Sequence, residues 1–200
     1  MGPTRVAHGV TVAAGTILRK DALQAGHLYT GQAVAGGAPR PYDPTRYGNI
    51  GRLVKNNLIF IGNLRALQAW YRDVRSRFMR SCPFREACRL GGVQVLEMAI
   101  KERIKRLDDL AQRLERDAAD DERGATPRAF VDAWPDRRQR LKRPPDPAIG
   151  ATPRATFMSA WTALSAASHV AAMAALAPAA KAAATAWLQE IVDDTWEGME

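Results

Sequence analysis

The first residues of the chain carry an apolar pattern that repeats every six positions. The repeat consists of Val6, Val12 and Leu18, accompanied by Gly9 and Gly15. A period of six fits neither the α-helix nor a simple alternating strand. It is typical of a parallel β-helix, in which each hexad forms one face and about three hexads complete a coil. Residues 1–36 are therefore predicted to form about one coil and an exit strand.

From about Tyr47 the period changes, and apolar residues recur at every third or fourth position. This spacing predicts α-helix, because it places the apolar side chains on one face. We expect one long helix that ends before Cys82 and a second from about Phe84 to Ala119. Residues 47–119 are thus predicted to form a long antiparallel helix pair. On the first helix the basic residues, Arg65 among them, are expected to lie mostly away from the apolar face.

The last 81 residues divide into two segments of different composition. Residues 120–149 are rich in proline and in basic residues, which predicts a mobile or surface-wrapped linker. Residues 150–200 are rich in alanine with sparse large apolar anchors, which predicts a helical hairpin that turns at Pro178. The expected fold class is mainly α, with helical bundles or hairpins preceded by the β-helix remnant.

A short internal repeat crosses the boundary between these two segments. The sequence Gly-Ala-Thr-Pro-Arg-Ala occurs at 124–129 and again at 150–155, and each copy is followed by a phenylalanine and a tryptophan. Threonine favours the N-cap position and proline the first helical position, so one interpretation is two similar helix starts, each capped by its threonine and anchored by aromatic residues. Coincidence in an alanine-rich chain is the alternative.

Charge and cysteine content limit the function classes. The chain of 200 residues carries a net charge of +8, and its positive charge is concentrated in 49–80 and 123–149. Cys82 and Cys88 have no histidine nearby, so no metal site is predicted and both are expected to be reduced thiols. The sequence has no apolar run long enough for a membrane span and no signal peptide pattern, which favours a cytoplasmic protein without a membrane partner.

Several motifs at the start of the chain resemble those of a known family. They are Gly-Val-Thr-Val-Ala-Ala-Gly-Thr at 9–16, Leu-Arg-Lys-Asp at 18–21 and Leu-Tyr-Thr-Gly-Gln-Ala at 28–33. Together they resemble the closing coil of left-handed β-helix (hexapeptide-repeat) transferases, and 9–21 is most similar to bacterial UDP-N-acetylglucosamine pyrophosphorylase/acetyltransferase-like proteins. Ala33 stands where that family usually has proline, and Ala7 and Ala13 where glycine is commoner. The resemblance covers under a fifth of the chain.

This resemblance implies that the chain is the C-terminal part of a transferase that acts on amino sugars or nucleotide-sugars. Family members form trimers with active sites between subunits, so a homotrimer is expected. The complete parent would use acyl-CoA, or a nucleoside triphosphate with magnesium, whereas this segment shows no cofactor motif of its own. It is expected to cap and assemble the β-helix rather than to catalyse.

Two sets of residues are candidates for chemistry. His8 lies at a hexad position, and in this family a coil histidine commonly acts as the general base of acyl transfer; a histidine in a surface turn is the alternative. Arg72, Arg75 and Arg77 lie among aromatic residues and are candidate phosphate ligands, including for a nucleotide-sugar. Packing in the core is the simpler explanation for the aromatic residues. His169 is expected to pack or to face solvent.

The second hypothesis for function is an independent helical module that binds a polyanion or a protein partner. Its binding surface would combine 52–80 with 137–143, the two most basic parts of the chain. Binding to phosphates weakens steeply with salt, whereas a capping role predicts little affinity for nucleic acid. Nucleic acid is not an expected partner under the first hypothesis, so a salt titration separates the two.

Overall fold

The structure, a computed structural model, describes residues 4–30, 39–41, 49–117 and 125–197. The chain divides into two compact units, Met1–Gly48 and Asn49–Glu200. It is mainly helical, as the apolar spacing predicts. Residues 31–33, the last part of the motif at 28–33, lie outside the described residues.

The first unit contains a small sheet of three short strands in the order β1-β2-β3. The strands are β1 (Thr11–Val12), β2 (His27–Tyr29) and β3 (Arg40–Pro41). β1 and β2 are parallel, with Thr11 opposite Leu28, and β3 is antiparallel to β2. A further parallel bridge joins Val6 to Ala22. Because β1 and β2 are parallel, the segment between them must return the chain to the end of the sheet at which β1 begins.

Glycines form the turns between these strand segments. Gly9, Gly15 and Gly26 have φ values of 81°, 75° and 69°, in the left-handed region that residues with a Cβ rarely adopt. The N–H of Gly26 donates to the carbonyl oxygen of Gly9 at 2.8 Å, so one turn stacks directly on the other. Glycine occurs at these positions because each turn requires a positive φ.

The second unit begins with a long helical segment. α1 (Ile50–Trp70) starts at Asn49, whose side chain accepts from the backbone N–H of Arg52 at 2.8 Å, a typical N-cap. It continues through a π-helical turn (Tyr71–Arg75) into α2 (Ser76–Met79). α3 (Pro83–Asp117) follows, with proline at its first position, where no intrahelical N–H is needed.

The predicted linker over 120–149 is wrong for most of its described part. Residues 125–142 form α4 (Ala125–Lys142), which contains Pro135 in its interior. Phe130, Trp134 and Leu141 are at most 4% exposed and pack with α1 and α3 in the first core. The free energy of burying three large side chains exceeds the roughly 3 kcal/mol that an interior proline costs a helix.

The alanine-rich region also differs from its prediction, because its first arm is broken into two helices. α5 (Ala151–Ala163) ends where Leu164 turns extended, and α6 (His169–Ala175) begins after Ser168, whose side chain caps it. α7 (Pro178–Glu197) completes the unit. Phe157, Trp161 and Trp187 form the centre of a second core with α1 and the π-helical turn.

The internal repeat marks two helix starts. α4 and α5 begin at equivalent alanines, and the Phe130–Trp134 and Phe157–Trp161 pairs have ring centroids 5.5 and 5.8 Å apart. Each pair lies in a different core. The capping part of the hypothesis is wrong for the second copy. There Gly150 occupies the N-cap position with φ 67° and makes no side-chain cap, and Thr152 lies inside the helix.

Candidate functional site

Two of the three arginines predicted as phosphate ligands, Arg72 and Arg75, lie in the π-helical turn Tyr71–Arg75, and Arg77 follows it in α2. Such turns insert one extra residue into a helix and occur frequently at functional sites. Val74 is fully buried in this turn and anchors it to the second core.

Each of these arginines has a different environment. Arg72 is half-exposed and pairs with Glu97 of α3 at 3.1 Å. Arg77 donates to the carbonyl oxygens of Trp161 and Leu164 at the end of α5, where unpaired helix carbonyls need donors. Arg75 lies beside the Tyr71 ring, and its buried Nε has no hydrogen-bond partner among the described residues. The structure therefore does not bring them into one anion-binding cluster, and their role as phosphate ligands remains a prediction.

An aromatic box next to this turn encloses His169, the first residue of α6. The imidazole centroid lies 5.5 Å from Trp161, 6.0 Å from Trp70 and 6.2 Å from Phe78, and all three rings stand edge-on to it. These rings come from α5, α1 and α2, so the box forms only when the three helices pack. His169 is therefore partly buried and packs against these three rings.

Three polar atoms in this region are buried without hydrogen-bond partners among the described residues. They are Nδ1 of His169, the indole Nε1 of Trp161 and Nε of Arg75. Burial, followed by the positive charge of Arg75, lowers the pKa of His169 below its ordinary value. The arrangement keeps the imidazole neutral at pH 7 and leaves one ring nitrogen without a partner. Chemically it can accept or donate one hydrogen bond inside an aromatic enclosure.

The lowered pKa predicts that the protein becomes less stable in acid. Below about pH 6.5 the unfolded chain protonates His169 while the folded chain resists it. The contribution of His169 to stability should therefore be fully present above about pH 6.5 and decline as the pH falls to the lowered folded-state pKa. Urea unfolding between pH 5 and 8 measures this directly.

His169→Gln provides the reference for that series. Glutamine does not titrate, so the difference in unfolding free energy between the wild-type protein and the variant should change with pH in this window. Both proteins share every other titrating group. A difference that stays constant from pH 8 to 5 would contradict the lowered pKa.

Arg65 lies on the buried face of α1, contrary to the expectation that it points away. Its guanidinium donates to the carbonyl oxygens of Leu141 and Arg143 at 2.7 and 3.0 Å, and to Thr195 Oγ1 at 3.3 Å. Burial lowers its pKa, which the carboxylate of Asp194 partly opposes. The two basic segments 52–80 and 137–143 thus meet through a buried cation that caps the end of α4.

Acidic partners also neutralise several of the other arginines in these segments. Arg140 pairs with Asp194 at 2.8 Å, Arg138 with Asp108 at 3.1 Å, and Arg72 with Glu97 at 3.1 Å. These ion pairs reduce the positive charge available to a polyanion.

The remaining candidates are His8 and the two cysteines. His8 is exposed in the turn that precedes Gly9, so its role as general base remains a prediction. Cys82 and Cys88 are free thiols, and backbone N–H groups at the start of α3, chiefly that of Arg85, lower the pKa of Cys82. In the described ranges, no three His, Cys, Asp or Glu residues are grouped so that they could hold a metal ion.

Sequence reasoning did not single out the aromatic box or Arg65. A signal existed for Arg65, because it continues the buried spacing of Val54, Leu58 and Ile61. No signal existed for the box, since its three rings and His169 lie at positions up to 99 residues apart in the sequence.

Comparison with known proteins found no match: no protein-family model, curated protein or solved structure is detectably similar to the chain. As to membrane spans, no single helix in the described part is both long and apolar enough. α6 and α7 meet the criteria of length and composition only together, and they are bent by 112°.

Proposed function

We propose that the chain is the C-terminal part of a hexapeptide-repeat transferase that acts on amino sugars or nucleotide-sugars. In this proposal the first unit is the terminal coil of a left-handed parallel β-helix. The helical unit is an appendage that caps and assembles the β-helix rather than catalysing. The acyl or nucleotidyl donor, acyl-CoA or a nucleoside triphosphate with magnesium, would bind the complete parent.

The observation that supports this proposal is the register of the parallel pairs. Val6 pairs with Ala22, sixteen residues later, and Thr11 pairs with Leu28, seventeen residues later. Two successive faces therefore repeat with nearly the same offset, and the turns between them stack through Gly9 and Gly26. An offset of about three hexads is what one coil of a β-helix requires.

Exposed aliphatic residues give further support. Val6 and Val12 occupy the aliphatic positions of their hexads, yet they are 51% and 38% exposed. In the described sheet β1 is an edge strand, and exposed edges of repeat proteins are commonly covered by a further repeat or a cap. A neighbouring coil of the same period would bury both valines.

The experiment is a measurement of mass in solution by sedimentation equilibrium on the full chain. Under this proposal the chain forms trimers that cover the exposed face of the coil, and Val12→Asp lowers the trimer population because a charge would be buried there. Val170→Asp, at a 76% exposed position of α6, serves as the matched control and should leave the mass unchanged. Helical circular dichroism verifies that both variants keep the helical unit folded.

A monomer at micromolar concentration, unaffected by either variant, would overturn the assembly proposal. Steeply salt-dependent binding of a polyanion by that monomer would instead support the basic helical module. The paired state of Arg72, Arg138 and Arg140 argues for weak polyanion binding.

A further inference from the structure

A groove runs along the contact between α1 and α7. The two helices run in opposite directions: the Lys55 ammonium lies 3.9 Å from the Trp196 ring, whereas Trp70 shares the groove with Thr185. They approach closely at Gly62, where an added Cβ would lie 2.9 Å from the Cα of Val192. Only glycine permits this contact, so Gly62 brings the helices together at one end of the groove.

The groove beyond this contact has a volume of about 420 Å³. Ala66, Leu67, Trp70, Leu188 and Val192 provide apolar surface, and Asn63, Thr185 and Gln189 provide polar surface. Its size falls within the range of about 300–1,000 Å³ that is common for small-molecule sites. None of the lining side chains is ionisable, although the chain as a whole carries a net charge of +8.

Each polar lining residue uses one donor within its own helix, and the two amide groups keep a second N–H each. Asn63 Nδ2 donates to the carbonyl oxygen of Ile59 at 2.8 Å, and Gln189 Nε2 donates to Asp193 Oδ1 at 2.8 Å. The Thr185 hydroxyl donates to the carbonyl oxygen of Lys181 at 3.1 Å. Their side-chain oxygens remain as acceptors, so the groove offers an apolar surface with hydrogen-bond acceptors.

We propose that this groove binds a small uncharged molecule that combines an apolar ring with a hydrogen-bond donor. The lining has no cation to pair with a phosphate or a carboxylate, and the positive charge of the protein disfavours a cationic ligand. The Trp70 ring, which stacks on Phe157 at a centroid distance of 5.7 Å, provides a rigid aromatic contact. This site goes beyond the proposed transferase function and is independent of it.

Fluorescence titration with N-phenyl-1-naphthylamine tests the proposal, because this probe is neutral, aromatic and carries one N–H donor. Its sulfonate, 8-anilino-1-naphthalenesulfonate, has the same rings and a negative charge. At about 0.15 M salt the neutral probe should bind about tenfold more tightly, a difference of ~1.4 kcal/mol. Equal or tighter binding of the sulfonate would overturn the proposal in favour of a basic surface.

A matched pair of substitutions on α7 locates the binding. Thr185→Phe fills the groove from an exposed position and should weaken the neutral probe about tenfold or more. Ala186→Phe adds a phenyl ring at the neighbouring exposed position, outside the lining residues, and should leave the affinity unchanged. Equal affinity for both variants and the wild-type protein would show that the probe binds elsewhere and would refute the assignment.

The donor requirement has its own measurement. N-methyl-N-phenyl-1-naphthylamine lacks the N–H but keeps the rings, so the loss of one hydrogen bond should weaken its binding several-fold. Binding as tight as that of the parent probe would contradict the acceptor role of Asn63, Thr185 and Gln189.

Discussion

Trp161→Ala is expected to lower the free energy of unfolding by about 3–5 kcal/mol, the usual range for deleting a buried aromatic side chain. Trp161 is fully buried and its ring contacts those of Phe157, Phe78 and His169 at 5.5–5.8 Å. Its loss would leave a cavity where α5, α6 and α2 meet. Chemical denaturation followed by circular dichroism measures the change, and a loss below about 1 kcal/mol would contradict this packing.

The internal repeat supplies a matched control for this prediction. Trp134 is equally buried but donates its indole N–H to Asp108 Oδ1 at 2.8 Å, whereas the indole N–H of Trp161 has no partner among the described residues. Trp134→Phe should therefore cost about 1–2 kcal/mol more than Trp161→Phe, because it removes a hydrogen bond to Asp108 Oδ1 for which Trp161 has no counterpart among the described residues. The opposite order would show that the two environments are assigned incorrectly.

Arg65→Met is expected to destabilise the protein by about 2–4 kcal/mol. The guanidinium is 6% exposed and satisfies two carbonyl oxygens at the end of α4. Methionine preserves most of the volume but leaves these acceptors unpaired, at about 1–3 kcal/mol each, with partial relief from removing a buried charge. Urea denaturation at pH 7 measures the loss.

Arg72→Met, in the π-helical turn that continues α1, is the control. Arg72 is half-exposed and pairs with Glu97, and such surface pairs contribute about 0–1 kcal/mol. A similar loss for the two variants would mean that Arg65 contributes only general charge, and the capping role would be wrong. Together the two variants distinguish a buried arginine that stabilises the fold from a half-exposed arginine that contributes little to stability.

The linker prediction failed because composition and spacing disagreed. Pro135 and the basic residues of 137–143 predict irregular chain, while Phe130, Trp134 and Leu141 share one face of a helix. The free energy of burying that face outweighs the cost of an interior proline, so the segment is helical. The two helix starts were visible in the repeat, because a helix start depends on residues that are close in sequence.

The sequence by itself determined the features that depend on local periodicity. These are the hexad spacing with its glycines of positive φ, the helical character of residues 50–117, and the phenylalanine–tryptophan pairs of the repeat. Each follows from the backbone geometry of a few neighbouring residues.

Only the tertiary structure decided which polar side chains became buried and which surfaces became sites. Arg65, His169 and the groove beside Gly62 take their properties from helices that are distant in sequence. The pKa of His169 depends on the water that packing removes and on the charge of Arg75. Such quantities are set by the contacts across helices, which the one-dimensional pattern does not contain.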